Sequence, residues 1–160
     1  MSPQQLEAYR LGVVGDCAEF VRHMITMHPD VKFTSGRRTR ESHAWAMAQN
    51  IVIGGRRWIA KTYKSSPVSR ALQRWVTATP MATTAHDLAE GLLAILNGYT
   101  DEELAALSLH FSGRAVDIEP VNGPHGQMLL MAIRSKVEQL GGKFIEREGG
   151  LRRWHCQFLK

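Results

Sequence analysis

His110 and Asp117 stand close together in the segment Ser108-Leu109-His110-Phe111-Ser112-Gly113-Arg114-Ala115-Val116-Asp117-Ile118. After Gly113, Ala115, Asp117 and Glu119 alternate with Val116 and Ile118, which is the two-residue period of a strand. A reversal at Ser112-Gly113 brings imidazole and carboxylate to one point, and that pair is half of a zinc site. A second chemical cluster lies near the C-terminus, where residues 143–148 and 151–158 alternate on either side of Gly149-Gly150 and read as a hairpin. Pairing through a two-residue turn sets Glu148 opposite Leu151, Glu146 opposite Arg153 and Phe144 opposite His155. On that count His155 shares its face with both glutamates, while Trp154 and Cys156 point the other way, so Cys156 is not expected as a ligand. His110, Asp117 and His155 then form a set of two histidines and one carboxylate, which leaves a position open for water. Zinc in such a site acidifies that water and polarises a carbonyl, and a nearby carboxylate is suited to take the proton.

Helices and turns must hold these groups. Residues 3–27 read as one helix with Leu6, Tyr9, Val13, Cys17, Phe20, Val21 and Met24 inward. Ser2 is its expected cap, Pro3 its first residue, Gly12 and Gly15 its weak points, and Pro29 its end. Residues 31–34 alternate as a short strand and run into the cationic turn Ser35-Gly36-Arg37-Arg38-Thr39. Residues 41–53 read as a helix with Trp45, Ala48, Ile51 and Val52 on one face. Arg56, Arg57, Lys61 and Lys64 then interleave with Trp58, Ile59 and Tyr63, a pattern shared by nucleic-acid contacts and by amphipathic elements with a solvated basic face. Further helices are expected from Ser66-Pro67 through Leu72, Trp75 and Val76, and from Thr83 or Thr84 through Leu88, Leu92, Ile95 and Leu96. Thr100-Asp101-Glu102-Glu103 is a capping box for a short one ending near Leu107. A last helix over 127–140 is expected to turn Met128, Met131, Val137 and Leu140 inward, with His125 at its mouth as a surface group or a further contact.

A chain of 160 residues with 44% hydrophobic and 22% charged residues suits one soluble globular domain, and no segment is apolar enough for membrane insertion. The first residues lack the basic and apolar regions of a signal peptide, so synthesis in the cytoplasm is expected. A formal net charge of +5 favours an anionic partner: nucleic acid, acidic lipid or an anionic cell wall. Two cysteines, Cys17 and Cys156, point to free thiols and leave no cysteine zinc site.

The pattern S-x-H-x-x-G-x-A-x-D, filled by Ser108, His110, Gly113, Ala115 and Asp117, resembles the zinc signature of peptidase family M15. These are the D-alanyl-D-alanine carboxypeptidases and related endolysins, and the Hedgehog signalling domain belongs to the same wider superfamily. The resemblance implies a zinc ion held by His110, Asp117 and His155. It also implies a substrate-facing arginine after a strand ending in T-S-G-x-R, a place matched by Thr34, Ser35, Gly36 and Arg38. Such an arginine stabilises an oxyanion or grips a carboxylate. In the carboxypeptidase branch the base lies just before the last histidine, where this chain has Arg152, which cannot act as one. Other branches place it upstream across a turn, which makes Glu148 the first choice here and Glu146 the second. The implied fold is α+β, a single domain over 1–160 whose small antiparallel sheet carries the zinc site, packed with several helices. Residues of about 54–100 form a helical insertion in that reading.

The function this implies is hydrolysis of a peptidoglycan stem-peptide bond, as a D,D-carboxypeptidase or an L-alanyl-D-glutamate endopeptidase. A short basic chain without an export signal suits a phage endolysin, reaching the wall after release and working as a monomer. Ser108 would hydrogen-bond substrate, and Thr39 with Ala48-Gln49-Asn50 is similar to the endolysin branch. A zinc-containing binding module without catalysis is the alternative, motivated by Arg152. Nucleic-acid binding, motivated by charge and the 56–64 cluster, is the third reading, and no nucleic-acid partner is expected if the first holds.

Overall fold

Ser2 accepts a hydrogen bond from the Gln5 amide and the Gln5 side chain answers the Ser2 amide, so the chain opens with a reciprocal cap. The computed structural model describes residues 1–160. In chain order the elements are α1 (Pro3–Arg10), α2 (Gly15–Met27), β1 (Phe33–Ser35), α3 (Arg40–Gly54), α4 (Trp58–Thr62) and α5 (Pro67–Ala78). Then come α6 (Ala85–Leu96), α7 (Asp101–Leu107), β2 (Ala115–Ile118), α8 (Gly123–Gln139), β3 (Lys143–Glu148) and β4 (Leu151–Gln157). This is the α+β class expected. The strands form one sheet in the order β1-β2-β4-β3, and both pairings of β2 are antiparallel. No helix is long and apolar enough to cross a membrane.

The chain divides into two compact units. The sheet unit comprises Met1–Arg37, Ser112–Arg147 and Arg152–Lys160. Its core joins Val116 and Ile118 of β2 and Trp154 and Cys156 of β4 to Phe20, Val21 and Met24 of α2 and Leu129, Leu130, Ile133 and Val137 of α8. The helical unit comprises Arg38–Phe111 with Glu148–Leu151, and its separate core is built from α3 to α7, with Trp58, Leu72, Leu88, Leu92 and Leu104 at its centre. The expected insertion at about 54–100 lies inside this second unit, which also takes in α3. Leu151 packs on the same core, and a Cβ on Gly149 would meet Trp58 and Thr62 of α4 at about 2.5 Å, so the hairpin tip rests against that helix.

Three expectations about helices are corrected. The single helix over 3–27 is broken, because Gly12 and Gly15 take left-handed backbone at φ 64° and 56°. Leu6 and Tyr9 of α1 are consequently exposed, whereas Val13, Cys17, Phe20, Val21 and Met24 are buried as expected. In α8 the buried stripe is Gly126, Leu129, Leu130, Ile133 and Val137, which leaves Met128 and Met131 in solvent. Only one stripe of a helix can face the core, and the branched side chains, not the methionines, occupy it. For the same reason α3 buries Ala44, Met47, Ala48 and Ile51 and exposes Trp45 and Val52. The Thr100–Glu103 capping box forms as read.

Candidate metal centre

β2 and β4 place the central pair. Asp117 and His155 are direct cross-strand partners, flanked by Val116 with Cys156 and Ile118 with Trp154. Because side chains alternate across a strand, burying Val116, Ile118, Trp154 and Cys156 in the apolar core sends Asp117 and His155 to the opposite face. There His155 Nδ1 lies 2.9 Å from Asp117 Oδ1, and His155 Nε2 lies 3.1 Å from Gln157 Oε1. His155 is buried and Asp117 nearly so.

His110 sits in a tight turn before β2. The Ser108 hydroxyl oxygen accepts from the His110 amide at 3.4 Å, and the Phe111 amide donates to the Ser108 carbonyl at 3.1 Å. Gly113 ends the turn with φ 76°, and a Cβ there would stand 2.6 Å from the Gly12 carbonyl oxygen. No residue with a side chain fits that approach, which is the physical reason the motif carries glycine at this place. One ligand atom each from His110, Asp117 and His155 lies within 4.8 Å of the others, so the three form a group that could hold a metal ion.

The donor set supports that reading. A neutral imidazole has one N–H and one lone pair. The His155 ring faces an oxygen acceptor on each nitrogen, so a neutral ring leaves one nitrogen lone pair directed at an oxygen. A proton, a cation or a half-turn of the Gln157 amide, which brings its NH2 to that nitrogen, resolves the contact. Two imidazole nitrogens and one carboxylate oxygen are ligands that zinc and several other divalent ions accept. Gln157 was missed in the sequence. Its signal was its place two residues after His155, hence on the same strand face, where it can orient the ring from behind as outer partners of metal-bound histidines do.

The thiols stand apart from this chemistry. Burial pushes the Cys17 thiol up to about 12, with the Asp117 charge adding to it, and burial raises Cys156 well above its ordinary value. Both stay protonated near neutral pH, as the reading of Cys156 required.

The remaining expected residues are placed as follows. Arg38 follows β1, and its backbone amide donates to the His110 carbonyl at 3.0 Å, so its stretch of chain runs beside that histidine. Gly149 and Gly150 have φ 56° and 86° and make the expected two-residue turn. Glu148, half-buried, ends β3 at that turn. The expectation that Phe144 and Glu146 share the face of His155 is corrected. Phe144 packs on the core that holds Trp154 and Cys156, and Glu146 Oε2 accepts from Arg134 of α8 at 2.7 Å. Arg134 supplies the cause, since its guanidinium also lies over the Phe144 ring at 5.7 Å. Arg152 is drawn to Asn122 and to the Val121 carbonyl and stacks on Trp154 at 5.6 Å. His125 pairs with Asp30 on the surface. A second group, His86 with Asp87 and Glu90, is exposed on α6.

Comparisons with protein-family models, with curated proteins and with solved structures found no match.

Proposed function

We propose that the protein is a zinc-dependent peptidase of the M15 type, acting on peptidoglycan stem peptides as a phage endolysin does. The observation that carries this is the buried cross-strand pair Asp117–His155, acceptor facing ring, with His110 in ligand range. Zinc held by these three residues would polarise a scissile carbonyl and acidify water. Asp117 and His155 are held rigidly by adjacent strands, and Gln157 fixes the ring of His155. Glu148 is the first choice to take the proton, and Glu146, which accepts from Arg134, is the second. Arg38 supplies a planar cation for an oxyanion or a substrate carboxylate, and the Ser108 hydroxyl offers substrate a hydrogen bond. The fit of a basic chain to an anionic wall agrees with this.

The test uses zinc-loaded protein on purified peptidoglycan, with release of new amine termini as the signal. Glu148→Gln is expected to lower turnover by about 10²–10⁴-fold, the range of a lost general base, while Glu146→Gln keeps most of it. Absence of new termini from every wall chemotype would sink the proposal. A second reading, a binding domain without catalysis, is favoured by Arg152 at the carboxypeptidase base position. It predicts wall binding that both glutamine substitutions leave unchanged.

A further inference from the structure

We propose that the face formed by α4 and the first turns of α5 binds a phosphodiester polymer of the cell envelope, of the polyol-phosphate class. No aspartate or glutamate occurs between Glu41 and Asp87, a stretch that holds Arg56, Arg57, Lys61, Lys64, Arg70 and Arg74. Arg56 is withdrawn from this set by the fold. Its guanidinium donates to the Ala82 and Thr79 carbonyls at 2.8 and 2.7 Å and to that of Val76, closing the C-terminal end of α5. The other five cations are exposed.

The side chain of Gln73 ties together the two helices that carry four of them. Its Oε1 accepts from the Ala60 amide at 3.1 Å and its Nε2 donates to the Arg56 carbonyl at 2.8 Å. The face of α5 that carries Gln73 therefore borders α4. Arg70 and Arg74 stand one turn apart on α5, and Arg57 and Lys61 stand one turn apart at and within α4. Arg57, Lys61, Arg70 and Arg74 make no ion pair; Arg70 has only the Ser65 hydroxyl at 3.1 Å. Exposed cations on two adjoining helices, with no ion pair of their own, favour a ligand of repeated negative charge.

The aromatic residues of the segment argue against one polyanion. Trp58 is 2% exposed, and Tyr63 and Trp75 pack against the helical core. The face offers no free ring for stacking bases, which single-stranded nucleic acid requires. A flexible polyol-phosphate chain needs charge alone, as duplex DNA does. The choice of an envelope polymer also rests on the proposed wall peptidase activity.

The experiment measures binding of the whole protein to purified poly(glycerol phosphate) across a salt series, beside duplex DNA of equal phosphate content. Arg57→Ser/Lys61→Ser/Arg70→Ser/Arg74→Ser is expected to weaken polymer binding at least about 10-fold and to flatten the log–log salt slope by about 3, roughly 0.7 for each lost contact as on a single flexible strand. The double variants Arg57→Ser/Lys61→Ser and Arg70→Ser/Arg74→Ser give the same reading with half the change if the fourfold variant fails to fold. Hydrolysis of a soluble stem peptide stays at the wild-type rate in each. Absence of saturable binding, or equal binding by the variants, overturns the proposal. Tighter binding to DNA overturns it in favour of nucleic acid. Polymer binding without hydrolysis would leave this face standing and remove the peptidase reading, and hydrolysis without polymer binding would do the reverse.

Discussion

The sheet unit and the helical unit use their polar residues in opposite ways. In the sheet unit one face of β2 and β4 is committed to the core, and the alternate face presents Asp117, His155 and Gln157 in fixed register. A shift of one residue would exchange the two sets, so apolar packing and chemical placement are one constraint. In the helical unit the apolar stripes of α3, α5 and α6 face a common core and the cations stand on long, solvated stems outside it. Strand register thus suits a site that needs coordination geometry, and helix surfaces suit recognition by charge density.

The sharpest break of that contrast is His155→Ala. Removing a proposed ligand is expected to weaken zinc binding by more than the 10–100-fold attributed to outer partners, roughly 10³-fold or beyond, in a competition titration with a chelator. Unchanged zinc affinity would place the metal elsewhere. In the helical unit the matching large effect is on stability. Leu92 is fully buried in α6, and Leu92→Ala is expected to cost about 2–5 kcal/mol in denaturant unfolding while leaving the zinc affinity of the folded fraction unchanged. A loss of zinc affinity in the folded protein would show that the two cores are not separable in function. The smallest of the three effects is Gln157→Ala, expected to lower zinc affinity by about 10–100-fold with Gln157→Glu retaining binding, as an orienting acceptor should. Equal binding by wild type and Gln157→Ala would leave Gln157 as packing only.

Much of this was readable from local chemistry. The alternation after Gly113, the Gly-Gly turn and the Thr100 capping box each follow from rules acting over a few residues, and each forms as expected. His110, Asp117 and His155 were legible because motif spacing and strand period agree on them. What was not legible depends on partners far along the chain. Phe144 and Glu146 are drawn towards Arg134, a contact that no turn count contains. The helix phase of α8 was misjudged because methionine and leucine are alike in apolarity, and only packing against α2 and β4 selects the branched side chains. Arg56 looked like one more surface cation until the carbonyls of Val76, Thr79 and Ala82 took it.

The hydrogen bond from the Arg38 amide to the His110 carbonyl has a kinetic consequence. The helical core draws almost wholly on the continuous stretch Arg38–Phe111, whereas the sheet unit needs three distant stretches. Local contacts form early, and the entropy of closing a long loop delays distant ones. That bond joins the two ends of the stretch, so the loop that β1 and β2 must close is far shorter in effect than its count of residues, and Ser35 stands opposite Asp117 in the resulting pair.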